Sequence, residues 1–146
     1  MSGSSAHRAI LLDTCALIWL GNDKPLAPAA VEAIFVASNA DGVFVSPVSA
    51  WEIGLLARPR AGRPGLRFVP DPKRWFARLL AGPGFKLAPL TPDIAIESAT
   101  LPGALPADPG DRMIVATARH NGMPVMTRDA PIIAYGRAGH VAVVPC

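Results

Sequence analysis

The chain has 146 residues, 51% hydrophobic and 17% charged, where an average protein is about 25% charged; this excludes charge-driven disorder and predicts one folded domain over 1–146. The longest apolar run near the front, 15–20, has six residues, against the roughly 18–20 of a membrane span, and residues 1–8 lack the basic-then-apolar pattern of a secretory leader, so the reading is a cytoplasmic chain without a membrane segment. The net charge of +3 is uneven: segment 58–86 holds eight of the fourteen basic residues and one acid, Asp71, making it +7 and the remainder −4.

Residues 9–12 are continuously apolar and end at Asp13, as a strand buried on both faces does. A turn or two of helix follows over 14–20. A second helix over 28–37 starts at a proline and carries Val31, Ile34 and Phe35 on one face. Strand 43–45 leads into Ser46-Pro47, a cap-and-proline start for a helix to about 57 that contains Glu52. Residues 58–70 are a basic loop rich in Gly and Pro, and 72–80 is amphipathic through Trp75, Phe76 and Leu79. A third strand is expected over 85–90, a helix from Thr91-Pro92-Asp93, and a turn-rich link over 102–106. Asp108-Pro109-Gly110-Asp111 opens a helix through 112–120, stopped by Asn121-Gly122. A strand over 123–126 ends in Thr127-Arg128-Asp129; a short helix over 131–135 and a strand over 141–144 complete the chain. Strands alternating with helices define an α/β fold with a mainly parallel sheet.

Two cysteines, Cys15 and Cys146, and three scattered histidines offer neither a disulfide framework nor zinc-ligand spacing. The acids carry more information. Ligands of parallel α/β folds bind beyond the carboxyl ends of the strands. Asp13 and Asp129 fall just past strand ends, Asp111 opens a helix leading into a strand, and Glu52 lies one to two turns into the helix after strand two. If the four meet, they repel one another by about 4 kcal/mol per pair at 4 Å and an effective dielectric of 20, so cations must compensate. Oxygen donors favour Mg²⁺ or Mn²⁺, and phosphodiester hydrolysis is the natural chemistry. Each acid also fits a local role: Asp13, Asp108 and Asp129 as helix caps, Ser49-Ala50-Trp51-Glu52 as a capping box.

Leu11-Leu12-Asp13-Thr14-Cys15-Ala16, Ser49-Ala50-Trp51-Glu52-Ile53, the run from Asp108 through Asp111-Arg112 to Ala118, and Thr127-Arg128-Asp129 occur in order along nearly the whole chain. Together they resemble the PIN-domain ribonucleases, and among them the VapC-type toxins of toxin–antitoxin pairs. The resemblance implies an α/β/α sandwich around a sheet of four to five strands. It also implies Mg²⁺- or Mn²⁺-dependent endoribonuclease activity, a homodimer and a cognate antitoxin. The acidic quartet is carried onto Asp13, Glu52, Asp111 and Asp129, with Asp108 beside it and Thr127 as a hydroxyl near the last acid. Pro106 and Ala107 stand where related sequences commonly carry His and Arg.

Exposed arginines Arg58, Arg60, Arg63 and Arg67 would then steer RNA toward the acids. Arg112 is expected to pair with a neighbouring acid, and Trp19, Trp51 and Trp75 to serve the core or a dimer surface. The rival reading is a non-catalytic PIN-like module binding RNA or protein, whose mark would be missing quartet acids; all four positions are filled. A small-molecule phosphohydrolase of the haloacid dehalogenase kind would need a second acid at position 15, where Cys15 stands.

Overall fold

Short apolar strands alternate with helices through the computed structural model, which describes residues 7–146; the reading of stretch 1–8 as lacking a leader pattern falls mostly outside the described residues. The first half comprises β1 (Ala9–Leu12), α1 (Thr14–Gly21), α2 (Pro28–Ser38), β2 (Gly42–Val45), α3 (Pro47–Leu56) and α4 (Pro72–Leu80). The second comprises β3 (Phe85–Leu87), α5 (Pro92–Ala99), α6 (Pro109–Asn121), β4 (Val125–Thr127), α7 (Ala130–Arg137) and β5 (Val143–Pro145). The described strands form one five-stranded sheet of order β3-β2-β1-β4-β5, with every pairing parallel.

Alternation along each strand divides the apolar side chains between two layers. Ile10, Leu12, Val43, Val45 and Met126 pack with Leu17 of α1, Ala30 and Ala37 of α2 and Trp75 of α4. Leu11 and Val125 face the opposite side, against Ile114, Val115 and Ala118 of α6 and Ile132 and Tyr135 of α7. Helix α3 serves both layers, through Ile53 and Val48. The result is the expected α/β/α sandwich. Burial on both faces explains why β1 reads as an unbroken apolar run, and each such Val, Leu or Ile contributes about 1.5–3 kcal/mol.

Caps set the helix starts. Ser46, Asp71, Thr91 and Asp108 each accept a backbone N–H of the first turn and precede a proline at the first helical position, where the missing N–H costs nothing. Several boundaries differ from expectation for identifiable reasons. β3 stops at Leu87 rather than 90 because Ala88 N–H makes the last bond to β2, to Val45 O, and Pro89 has no N–H to continue it. Helix α6 starts at Pro109, immediately after its cap, and α7 extends to Arg137.

The basic loop is a built element. Arg60 and Arg63 exchange backbone hydrogen bonds of 2.9 and 2.8 Å across a tight hairpin, with Gly62 at φ +72°. Leu66 N–H then bonds Leu56 O at 2.8 Å, and Gly65 lies so close to the Ala57 carbonyl that a Cβ there would overlap it. Phe68 is buried edge-on against Trp75 at 5.1 Å between ring centroids. Replacing Gly65 by Ala is expected to lift the hairpin from the end of α3 at a cost of about 1–3 kcal/mol. Faster tryptic nicking at Arg60 and Arg67 would report it; an unchanged nicking rate would show that the anchor lies elsewhere.

Candidate active site

The strand order turns at β1: the chain proceeds outward through β2 and β3 on one side, and through β4 and β5 on the other. A crevice opens beyond the carboxyl ends of strands at such a point. Asp13 follows β1 and is 4% exposed. One oxygen, Oδ1, accepts the Ala16 N–H at 2.8 Å as the cap of α1. The other, Oδ2, accepts the hydroxyl of Thr127, the fully buried last residue of β4. Thr127 Oγ1 in turn accepts the Asp129 N–H at 2.9 Å, and Asp129 caps α7 by accepting the Ile132 N–H at Oδ2, 3.1 Å. One hydroxyl therefore links the acids behind β1 and β4.

Glu52 reaches the crevice from the middle of α3 and is half-buried. Thr14 donates its hydroxyl to Glu52 Oε1, and its oxygen lies 2.9 Å from Ser49 Oγ. Thr14 has a single proton to give, so the buried Ser49 hydroxyl must be the donor to Thr14. This corrects the capping-box reading: Ser46 is the cap of α3, accepting the Val48 N–H at 3.0 Å, while Ser49 and Glu52 lie inside the helix with i, i+3 spacing on one face. Thr14 and Ser49 were absent from the candidate residues. Their signal was available in that spacing and in the position of Thr14 directly behind Asp13.

The first turn of α6 closes the site. Exposed Asp108 caps it, accepting the Asp111 N–H at Oδ1, 3.0 Å. Gly110 is buried, and a Cβ placed there would stand 2.8 Å from Glu52 Oε2 and 3.3 Å from Asp108 Oδ1. The bare glycine lets the Glu52 carboxylate lie against α6. Half-buried Asp111 is pushed up to about 7, first by burial and then by the charges of Asp108, Asp129, Glu52 and Asp13. Burial also raises Asp13 and Glu52, opposed by the hydrogen bonds from Thr127 and Ala16 to one and from Thr14 to the other. Asp111 thus faces the other four acids, whereas Asp108 is the charge felt by Glu52.

Among the described residues no Lys, Arg or His side chain forms an ion pair with these acids. The ion pairs among the described residues are Arg8–Asp41, Arg74–Asp71 and His120–Glu97. Arg112, expected to pair with an acid, instead donates to the carbonyls of Ser98 at 2.8 Å and Leu105 at 2.9 Å, because one step along the helix from Asp111 turns its side chain toward the α5–α6 connection. Arg58, Arg60, Arg63 and Arg67 are exposed on the loop leaving α3, outside the carboxylate cluster. Of the tryptophans expected in the core or on a dimer surface, Trp75 is core and Trp51 is 52% exposed.

The donor set suits a hard divalent cation: carboxylate and hydroxyl oxygens, excess negative charge, and a glycine cradle beneath Glu52. Among the described residues no three His, Cys, Asp or Glu side chains form a ready ligand group for one ion. Repulsion keeps like charges apart, and Mg²⁺ needs few protein carboxylates because it retains waters.

Residues 10–137 match the PIN domain family. The chain is 30% identical over 121 residues to ribonuclease VapC22 of Mycobacterium tuberculosis, covering 82% of this chain and 86% of that protein. Its structure is similar to VapBC2 from Rickettsia felis, solved bound to a promoter DNA fragment, with TM-score 0.64 and 10% identity over 94% of this chain and 98% of that one. It is also similar to VapBC-5 of Mycobacterium tuberculosis, from the VapBC family of toxin–antitoxin systems, with TM-score 0.58 and 20% identity over 95% and 99% of the two chains.

The raised Asp111 carboxyl makes the metal-free fold pH-sensitive. A carboxyl whose folded value is raised contributes stability fully below its unfolded value near 4 and loses it as pH rises to about 7. In chelator, Asp111→Asn is expected to raise stability at pH 8 by about 1 kcal/mol, a few degrees in Tm, after allowance for solvent screening of a half-exposed group, and to leave it nearly unchanged at pH 4. Equal melting shifts at both pH values would contradict this assignment.

Proposed function

This chain belongs to the PIN-domain family and is related to its VapC members, and we propose that it is a divalent-metal-dependent endoribonuclease, the toxin of a toxin–antitoxin pair. The observation that carries the reading is the gathering of Asp13, Glu52, Asp111 and Asp129 around one crevice, with no basic side chain paired to them among the described residues. A non-catalytic module has no use for so costly an arrangement.

Asp13, Glu52, Asp111 and Asp129 would hold Mg²⁺ or Mn²⁺, with Asp108 adding negative charge beside Glu52. Such an ion, when bound, neutralises phosphodiester oxygens and acidifies a water nucleophile. The chain's own residues supply orientation. Thr127 and the Ala16 N–H occupy both oxygens of Asp13 and fix its rotamer. Thr14, backed by Ser49, fixes Glu52. Groups held in place beforehand need no reorganisation when substrate arrives. Asp111, at about 7, gives up its proton readily once positive charge enters the crevice.

RNA is the proposed substrate. A polyanion is repelled by bare carboxylates, and the arginines at 58, 60, 63 and 67 offset this from the loop that begins six residues beyond Glu52. The proposed partners are a cognate antitoxin, with a segment covering the crevice, and a second copy of the chain in a homodimer. The proposed location is the cytoplasm; no helix among the described residues is long and apolar enough to cross a membrane.

The deciding experiment is cleavage of total cellular RNA by antitoxin-free protein with Mg²⁺, with Mn²⁺ and with chelator, alongside Asp13→Asn and Glu52→Gln. Discrete metal-dependent products lost in both variants are expected. Identical behaviour of all three proteins would assign any cleavage to contamination and bring the non-catalytic reading forward.

Thr14 provides a second test. Thr14→Val is expected to lower kcat or metal affinity about 10- to 100-fold, as loss of a group orienting a metal ligand does, while Thr14→Ser keeps most of the activity. A Val variant as active as the Ser variant would show that Glu52 needs no hydroxyl to orient it.

A further inference from the structure

Arg128 stands between Thr127 and Asp129, so its backbone forms part of the wall of the carboxylate crevice. A guanidinium so placed would ordinarily fold onto an acid, since the charge-assisted pair is short and favourable. It does not: among the described residues no ion pair joins Arg128 to an Asp or Glu side chain. Two contacts hold it off. Its Cζ lies 3.8 Å from the centroid of the Trp19 ring, and Nη2 donates to the Cys146 carbonyl at 2.9 Å. Trp19 belongs to α1, the helix capped by Asp13, so the stack spans the two elements that carry Asp13 and Asp129.

The side chain is exposed. Its N–H groups reach the Cys146 main-chain oxygen and the Cys146 thiol, and a guanidinium with five N–H groups keeps others for a phosphate. A planar, permanently charged fork with its orientation already fixed loses little freedom on taking a phosphate. Position adds to this. The arginines of the 58–67 loop stand on the α3 side of the crevice, and Arg128 stands on the β4 side. A strand held only on one side of an acidic crevice is pushed away from it; a cation on the far rim offsets that repulsion.

We infer that Arg128, clamped by Trp19, binds a phosphate of the RNA strand on the β4 rim of the crevice. This rests on the ribonuclease reading, and the experiment separates the two. In the full-length Asp13→Asn chain, affinity for a labelled uridine homopolymer is measured across KCl concentrations at constant Mg²⁺. Adding Arg128→Gln is expected to weaken binding about ten-fold, as loss of a hydrogen bond to a charged group does, and to flatten the slope of log affinity against log salt by up to about 0.7, one phosphate contact on a single strand.

Arg128→Lys should keep the slope while losing several-fold in affinity, because the charge persists and the fork is gone. Trp19→Leu should weaken binding as well, because the released guanidinium can pair with Asp129. A folded Gln variant with unchanged affinity and slope overturns the inference. Should that variant fail to fold, a Lys variant binding as tightly as its parent overturns it instead. Absence of salt-dependent binding by the Asp13→Asn chain itself would remove the RNA reading, and this inference with it.

Discussion

Two carboxylates 4 Å apart at an effective dielectric of 20 repel by about 4 kcal/mol, and this molecule brings five acids to one crevice where Asp111 feels the other four. That repulsion is the constraint on which the local structure depends. Among the described residues no lysine or arginine pairs with these acids to relieve it. The backbone does so in part, because α1, α6 and α7 all begin at the crevice with Asp13, Asp108 and Asp129 as their caps. Each helix N-terminus carries roughly half a positive charge, and each cap accepts a real N–H bond.

This resolves an apparent choice between two readings of the same acids. A capping aspartate was set against a functional one, yet capping is what makes the cluster tolerable. In Asp129 and Asp108 the N–H takes one oxygen and leaves the other, while Asp13 is held at both oxygens, the second by Thr127. The two acids that cap nothing, Glu52 and Asp111, must be supported otherwise. Glu52 receives the hydroxyl of Thr14. Asp111 receives no comparable bond among the described residues, and its carboxyl is pushed up to about 7.

Much of this was legible along the chain because its causes are local. Strands buried on both faces appear as apolar runs, and cap-proline pairs mark α3, α4, α5 and α6 without reference to anything distant. The resemblance of the four motifs carried the fold, and the structure gathers the acids on which it rested. What escaped reading depends on contacts across the fold. Thr14 meets Glu52 across 38 positions, and nothing in either motif alone reveals that pairing. The resemblance alone places Asp111 in the quartet and Asp108 beside it, since both flank the same Pro-Gly pair; the physical difference between them is burial, where α3 packs against α6. Ser49 offers a second cap because its spacing to Glu52 is that of a capping box, but the helix uses the Ser46-Pro47 start one turn earlier. Arg112 was drawn toward the acids by adjacency in sequence, whereas the helix carries its side chain around to the Ser98 and Leu105 carbonyls.

The positions of the arginines share a logic with the absence of cations among the acids. A flexible arginine within reach would neutralise the crevice and occupy the space a divalent ion or an RNA phosphate requires. Each nearby arginine is restrained differently. Arg112 is tied to two carbonyls, Arg128 is stacked on Trp19, and the four of the basic loop belong to a hairpin anchored where Gly65 meets Ala57. The fold thus keeps these arginines out of contact with the acids. A polyanion needs that separation: it can satisfy the arginines at the rim only if they are not already satisfied by the acids between them.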